Sequence, residues 1–137
     1  MYFDGVDDYL KFSIPDFSFK TVIIKSDSKY IDNNWRYYFY LNSYVKIYLA
    51  KKGNDVLYNS NDFKLKQIGN LFVLTYLGQN DNTNINGFIG SKSEALECNN
   101  MALYKFLGFK EELTEEQIQA IIKKYNLLDG VDEIEVS

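Results

Sequence analysis

The side chains best equipped for chemistry in this chain are acids, because it has no histidine and a single cysteine, Cys98. Without imidazole, the Ser–His and Cys–His pairs, the usual general base and imidazole metal sites all drop out. One thiol excludes an intrachain disulfide and a thiolate metal cluster, and Cys98 reads as a small buried or half-buried residue rather than a reactive thiol. Two carboxylates can hydrolyse a glycoside. The nearest paired run, Asp132-Glu133-Ile134-Glu135, follows the last apolar stretch and reads as a solvated acidic terminus. No phosphate-binding loop or dinucleotide fingerprint occurs. The expectation is a protein that is not an enzyme.

Calcium ligation is the second chemistry that acids offer, since that hard cation prefers oxygen ligands. The candidates are Asp4, Asp7 and Asp8 near the N-terminus, with Asp27, Asp32, Asp81 and Asn84 in later loops. Their spacing resembles no ordered ligand loop. Turn residues bonding their own backbone are the favoured reading, so no cofactor is expected and Ca2+ is the one ion these acids leave open.

A third pattern is aromatic. Over 35–42, Trp35, Tyr37, Phe39 and Leu41 alternate with Arg36, Tyr38, Tyr40 and Asn42; over 44–50, Val45, Ile47 and Leu49 alternate with Tyr44, Lys46 and Tyr48. Period-two alternation marks half-buried strands. With Leu41 opposite Val45 across a three-residue turn, the odd positions of both strands face the core, Trp35 among them. Arg36, Tyr38, Tyr40, Tyr44, Lys46 and Tyr48 then share the outer face as a candidate ligand or partner surface. Cross-strand Tyr pairs on an exposed sheet, a protein interface and a stacking platform for a sugar ring are three readings of that stripe.

The elements that must carry these residues are mostly strands. Short apolar runs at 1–3, 9–12, 56–58, 63–65, 71–77 and 86–89 lie between Asp, Gly and Asn punctuation, and 101–109 is a longer one. Asp4-Gly5 supplies the positive φ of a tight turn. The stretch 17–25 is apolar on both faces, as a central strand is. The period then changes: Thr114-Glu115-Glu116-Gln117 is a capping box, and Ile118, Ile121, Ile122 and Tyr125 recur as one helical stripe. Lys123 and Lys124 suit the negative end of that helix, which is expected to cover one open end of a sandwich or barrel.

Size and charge bound the partners. At 137 residues one domain is the default, placed over 1–126 with its helix at 114–125, and 127–137 forming a tail or an edge strand. A 46% apolar and 17% aromatic composition favours strands around a sizeable core. The net charge of −4 and basic residues scattered among acids speak against nucleic acid. No apolar stretch approaches the ~18 residues of a membrane span, and Met1-Tyr2-Phe3-Asp4-Gly5 carries no secretion signal.

Several of these segments resemble a known family. Phe3-Asp4-Gly5-Val6-Asp7-Asp8-Tyr9-Leu10 is similar to the opening hairpin of laminin G-like, concanavalin A-like jelly-roll domains. Phe17-Ser18-Phe19-Lys20-Thr21-Val22 stands where that family has its next long strand, and Leu71–Gly78 resembles its central strand. Gly87-Phe88-Ile89-Gly90 is similar to its short Gly-bounded strand, and Ala102 through Leu113 to Ile122 to its closing strand and helix. The resemblance spans Tyr2 to about Tyr125, while Tyr30–Tyr48 has no obvious family pattern. It implies an all-β, two-sheet antiparallel jelly-roll sandwich with one short C-terminal helix. The family's hydrolases resemble one another in a Glu-x-Asp-x-Glu strand, absent here. Relatives with this pattern are common in bacteriophage and gut-bacterial surface proteins. The expected function is thus a non-catalytic structural or adhesive module, a virion decoration or fibre protein with protein partners or self-association. The alternative is a carbohydrate-binding, lectin-like module that takes a glycan.

Overall fold

A computed structural model of the chain describes residues 1–43, 45–79, 81–93 and 97–128. Among them are ten strands and one helix: β1 (Tyr2–Asp4), β2 (Leu10–Phe17), β3 (Thr21–Ser28), β4 (Arg36–Asn42), β5 (Lys46–Lys52), β6 (Asp55–Tyr58), β7 (Phe63–Ile68), β8 (Leu71–Tyr76), β9 (Thr83–Ile89), β10 (Asn100–Phe109) and α1 (Glu115–Lys124). The strands form two five-stranded sheets, β1-β10-β3-β8-β7 and β2-β9-β4-β5-β6, and all pairings are antiparallel. The chain is an all-β sandwich with one short helix. No helix among the described residues is long and apolar enough to cross a membrane.

The main core lies between the sheets. Phe3, Phe19, Val22, Ile24, Phe72, Leu74 and Met101 from the first sheet meet Phe39, Leu41, Ile47, Leu49, Ile85 and Ile89 from the second. These residues alternate along their strands with outward ones, as the two-residue period of a strand requires. β3 and β8 are buried at almost every position because they are interior strands covered on both faces. Their second cover is α1. Ile118 and Ile122 pack with Leu127 on Ile23, Leu71 and Val73, so the helix lies on the outer face of the first sheet and not over an open end. An apolar outer face on β3 and β8 has to be shielded from water somewhere, which decides the helix's place. The capping box forms as expected: the Thr114 side chain accepts from the Gln117 amide at 3.2 Å, and Gln117 Oε1 accepts from the Thr114 amide at 2.9 Å.

The first two strands do not make a hairpin. β1 pairs with β10 and β2 with β9, so 5–9 carries the chain from one sheet to the other. Gly5 does have the positive φ, at 82°. β2 also runs on through Pro15 to Phe17, where a separate strand was expected to begin. Proline is tolerated there because β2 is an edge strand and needs no donor on its free side.

Candidate functional site

A β-bulge decides which tyrosines reach the surface. β4 pairs Tyr37 with Ala50 but Phe39 with Leu49, leaving Tyr38 as an extra residue. One extra residue reverses the side-chain alternation on that side of the bulge. From Phe39 onward the expected parity holds, with Leu41 opposite Ile47 and Asn42 opposite Lys46, a register two residues from the expected Leu41–Val45 pairing. Before the bulge the parity is reversed. Tyr38 belongs to the core, its ring tilted on Phe72 with centroids 5.3 Å apart. Trp35 and Tyr37 turn outward, stacked at 5.8 Å and 20°.

Trp35, Tyr37, Tyr40 and Tyr48 therefore form one aromatic cluster on the outer face of the second sheet. Tyr40 and Tyr48, opposite each other across β4 and β5, stack at 6.0 Å and 17°. Tyr37 meets both edge-on, at 5.7 Å and 6.0 Å. Ala50, its cross-strand partner, leaves room for the ring. Tyr37 is buried under its neighbours, and that burial, with Glu97 and the two tyrosines nearby, pushes its hydroxyl up to about 12. Trp35, Tyr40 and Tyr48 remain half-exposed, and Lys46 is exposed beside them. A shallow cavity of about 370 Å3 adjoins Trp35, lined by Asn33, Asn34, Arg36, Lys52 and Glu97.

Two members of the expected outer stripe are elsewhere. Tyr38 is interior, and burial first, then Asp27, pushes its hydroxyl up to about 12 while Ser28 pulls the other way. Arg36 shares Tyr38's parity and is tied to residues of the segments before β4 and β10. Its Nη2 and Nε donate to Asp32 Oδ2 and Oδ1 at 2.7 Å and 3.3 Å, its Nη1 donates to the Cys98 carbonyl at 3.2 Å, and the guanidinium lies 4.0 Å over the Tyr30 ring. Those bonds hold the Asp32 carboxyl below the usual carboxylate range. Tyr44 lies outside the described residues, as do 129–137, which include the acidic run Asp132-Glu133-Ile134-Glu135. The outward turn of Trp35 had no signal in the sequence, because a bulge between two aromatic residues leaves the apolar pattern intact.

The acids of the N-terminal loop do come together. Carboxylate oxygens of Asp4, Asp7 and Asp8 lie within 4.8 Å of one another, all exposed. Asp4 Oδ1 accepts from the amides of Val6, Asp7 and Asp8 at 2.8, 3.3 and 3.4 Å, and Asp8 Oδ2 accepts from the Asp4 amide at 3.1 Å. The Val6 bond above all holds the Asp4 carboxyl low. This is the self-bonded Asx turn that short acidic loops make. The other candidates are not in this group: Asp32 serves Arg36, and Asp27 stands on β3 and not in a loop, accepting from the Tyr104 hydroxyl at 3.2 Å. Cys98 is buried, and burial pushes its thiol up.

Two further cavities lie between the sheets. One, about 270 Å3 and polar, has Tyr38, Ser28, Lys51 and Asn70 on its wall. The other, about 510 Å3, is walled almost wholly by apolar side chains along the β2–β10 margin.

The chain matches no protein-family model, no curated protein and no solved structure.

Proposed function

We propose that this chain is a non-catalytic binding module, a concanavalin A-like jelly roll that works within a larger assembly such as a bacteriophage decoration or fibre protein. The observation that carries the reading is the outer aromatic cluster. Trp35, Tyr40 and Tyr48 offer broad, half-exposed rings held rigid by their stacking on Tyr37 and on each other. Rigid aromatic residues bury large area at little entropic cost, which is why they anchor interfaces. The jelly-roll reading is supported by the strand order, in which β9 lies between β2 and β4 while β10 lies between β1 and β3. The non-catalytic reading is supported by the lack of histidine and by acids occupied in turns and ion pairs.

The test is solution mass by light scattering, for the natural chain and for Tyr40→Ala, Tyr48→Ala. An oligomer that the double variant dissociates, with the fold retained by circular dichroism, supports assembly through this face. A monomer in both cases overturns self-association. The cavity beside Trp35 favours a second reading, because its amide, cationic and acidic groups border an indole on which a sugar ring can stack. A glycan array separates the two: saturable binding lost in Trp35→Ala supports the second.

A further inference from the structure

The polar cavity between the sheets holds a charge that the protein does not answer. Lys51 follows Ile47 and Leu49 on β5 at two-residue spacing, so strand alternation turns it toward the inside of the sandwich. Val56, opposite it on β6, packs on the main core and marks the same face. Lys51 is thus half-buried on the wall of the cavity of about 270 Å3, beside Ser28, Tyr38, Asn70 and Phe72. Withdrawing an ammonium from water is unfavourable unless an opposite charge or acceptor groups replace the water.

The acids nearby are committed elsewhere. Asp27 borders the cavity through β3, but it shares the outer face of Ile23 and accepts from the Tyr104 hydroxyl at 3.2 Å. Asp32 is held by Arg36, the residue opposite Lys51 across β4 and β5. Asp55 stands opposite Lys52, one position on from Lys51 and therefore on the outer face. Lys51 itself forms no ion pair among the described residues. Neutral groups around it are unanswered too. Asn70 Oδ1 is buried with no hydrogen-bond partner among the described residues, and so is Nδ2 of Asn99, whose Oδ1 accepts from the Ser28 hydroxyl. The Tyr38 hydroxyl keeps its proton up to about 12 and is a donor throughout the ordinary pH range.

One positive charge among neutral donors selects one negative charge. A phosphate dianion is ordinarily held by arginine forks or a run of backbone amides, whereas the described wall of this cavity carries a single lysine and no arginine. A carboxylate matches that charge. The orphaned amide oxygen calls for a donor on the same ligand, which a hydroxyl group supplies. The volume lies below the ~300 Å3 at which drug-sized pockets begin, so the occupant is small. We propose that this cavity binds a small hydroxylated monocarboxylate, with its carboxylate on the Lys51 ammonium and the Tyr38 hydroxyl and its own hydroxyl group at the Asn70 amide. The site faces the inside of the sandwich and does not depend on the function proposed for the Trp35–Tyr48 face.

The probe is D-glycerate, titrated into the full chain and followed by NMR amide shifts. Saturable shifts at Ser28, Lys51 and Asn70 are expected. Propionate, which lacks the hydroxyls, and glycerol, which lacks the carboxylate, should each bind about tenfold more weakly or worse. Lys51→Met and Tyr38→Phe, with the fold retained by circular dichroism, should each weaken glycerate binding by about tenfold. Trp35→Ala should leave it unchanged. No saturable binding overturns the proposal, as does glycerol binding as well as glycerate or an affinity indifferent to Lys51→Met. Loss of binding in Trp35→Ala would move the site to the outer face and overturn it too. Inorganic phosphate binding more tightly than glycerate at the same amides overturns it by making the cavity a phosphate site.

Discussion

Tyr38 and Phe72 meet across the sandwich with ring centroids 5.3 Å apart, although Tyr37 and Tyr40 on either side of Tyr38 belong to the outer cluster. Tyr38 and Phe39, two aromatic residues in a row, thus both face the core, and the bulge between Tyr37 and Phe39 is what allows it. The consequence is a split in energetic role among tyrosines of similar sequence context. Tyr38→Ala removes a core side chain and should destabilise by about 3–4 kcal/mol. Tyr48→Ala removes one stacked member of an exposed pair and should cost about 1 kcal/mol or less. Urea unfolding of both variants checks this, and equal costs would place Tyr38 on the surface.

The two buried hydroxyls also make a pH signature. Tyr37 and Tyr38 are pushed up to about 12, while in the unfolded chain each ionises near its ordinary value of 10.0. Below that value both states are protonated and their contribution to stability is fully present. Between pH ~10 and ~12 the unfolded chain releases protons that the native chain retains, so stability falls as pH rises through the window. Tyrosinate absorbance should show these two among the last tyrosines to ionise before the chain unfolds.

Arg36 ties three parts of the chain together through Asp32, the Cys98 carbonyl and the Tyr30 ring. Lysine reproduces neither the fork nor the stacking plane. Arg36→Lys should therefore lower stability by about 1 kcal/mol, nearly as much as Arg36→Ala, as read in thermal unfolding. The Asp32 contribution is present above the ordinary carboxylate range and is lost as pH falls through the lowered value, so the gap between natural chain and variant should narrow in acid.

Gly108 marks where Phe19 lies against the β10 backbone. A methyl group there would sit 1.8 Å from Phe19 Cε1, inside van der Waals contact. Gly108→Ala should cost about 1–3 kcal/mol through overpacking, and Phe19→Leu in the same chain should recover part of that loss. A double variant no better than the sum of its single changes would show that Phe19 is not the obstacle.

What the sequence determined by itself was local: the expected strands and the capped helix stand close to where alternation, turn residues and the Thr114–Gln117 box put them, and the two-faced apolar run of β3 marked an interior strand. These features depend on neighbours a few residues apart, which a linear pattern records. The tertiary structure decided the rest. Asp4-Gly5 looked like a hairpin turn, yet β1 and β2 pair not with each other but with β10 and β9 respectively, near the other end of the chain. The helix went to the face of β3 and β8 because that is where uncovered apolar area remained. The candidate site turned on a single unpaired residue, Tyr38, whose bulge exchanged it and Arg36 for Trp35 and Tyr37 on the outer face. A bulge is a mismatch between two strands, and one strand's sequence does not contain its partner's register.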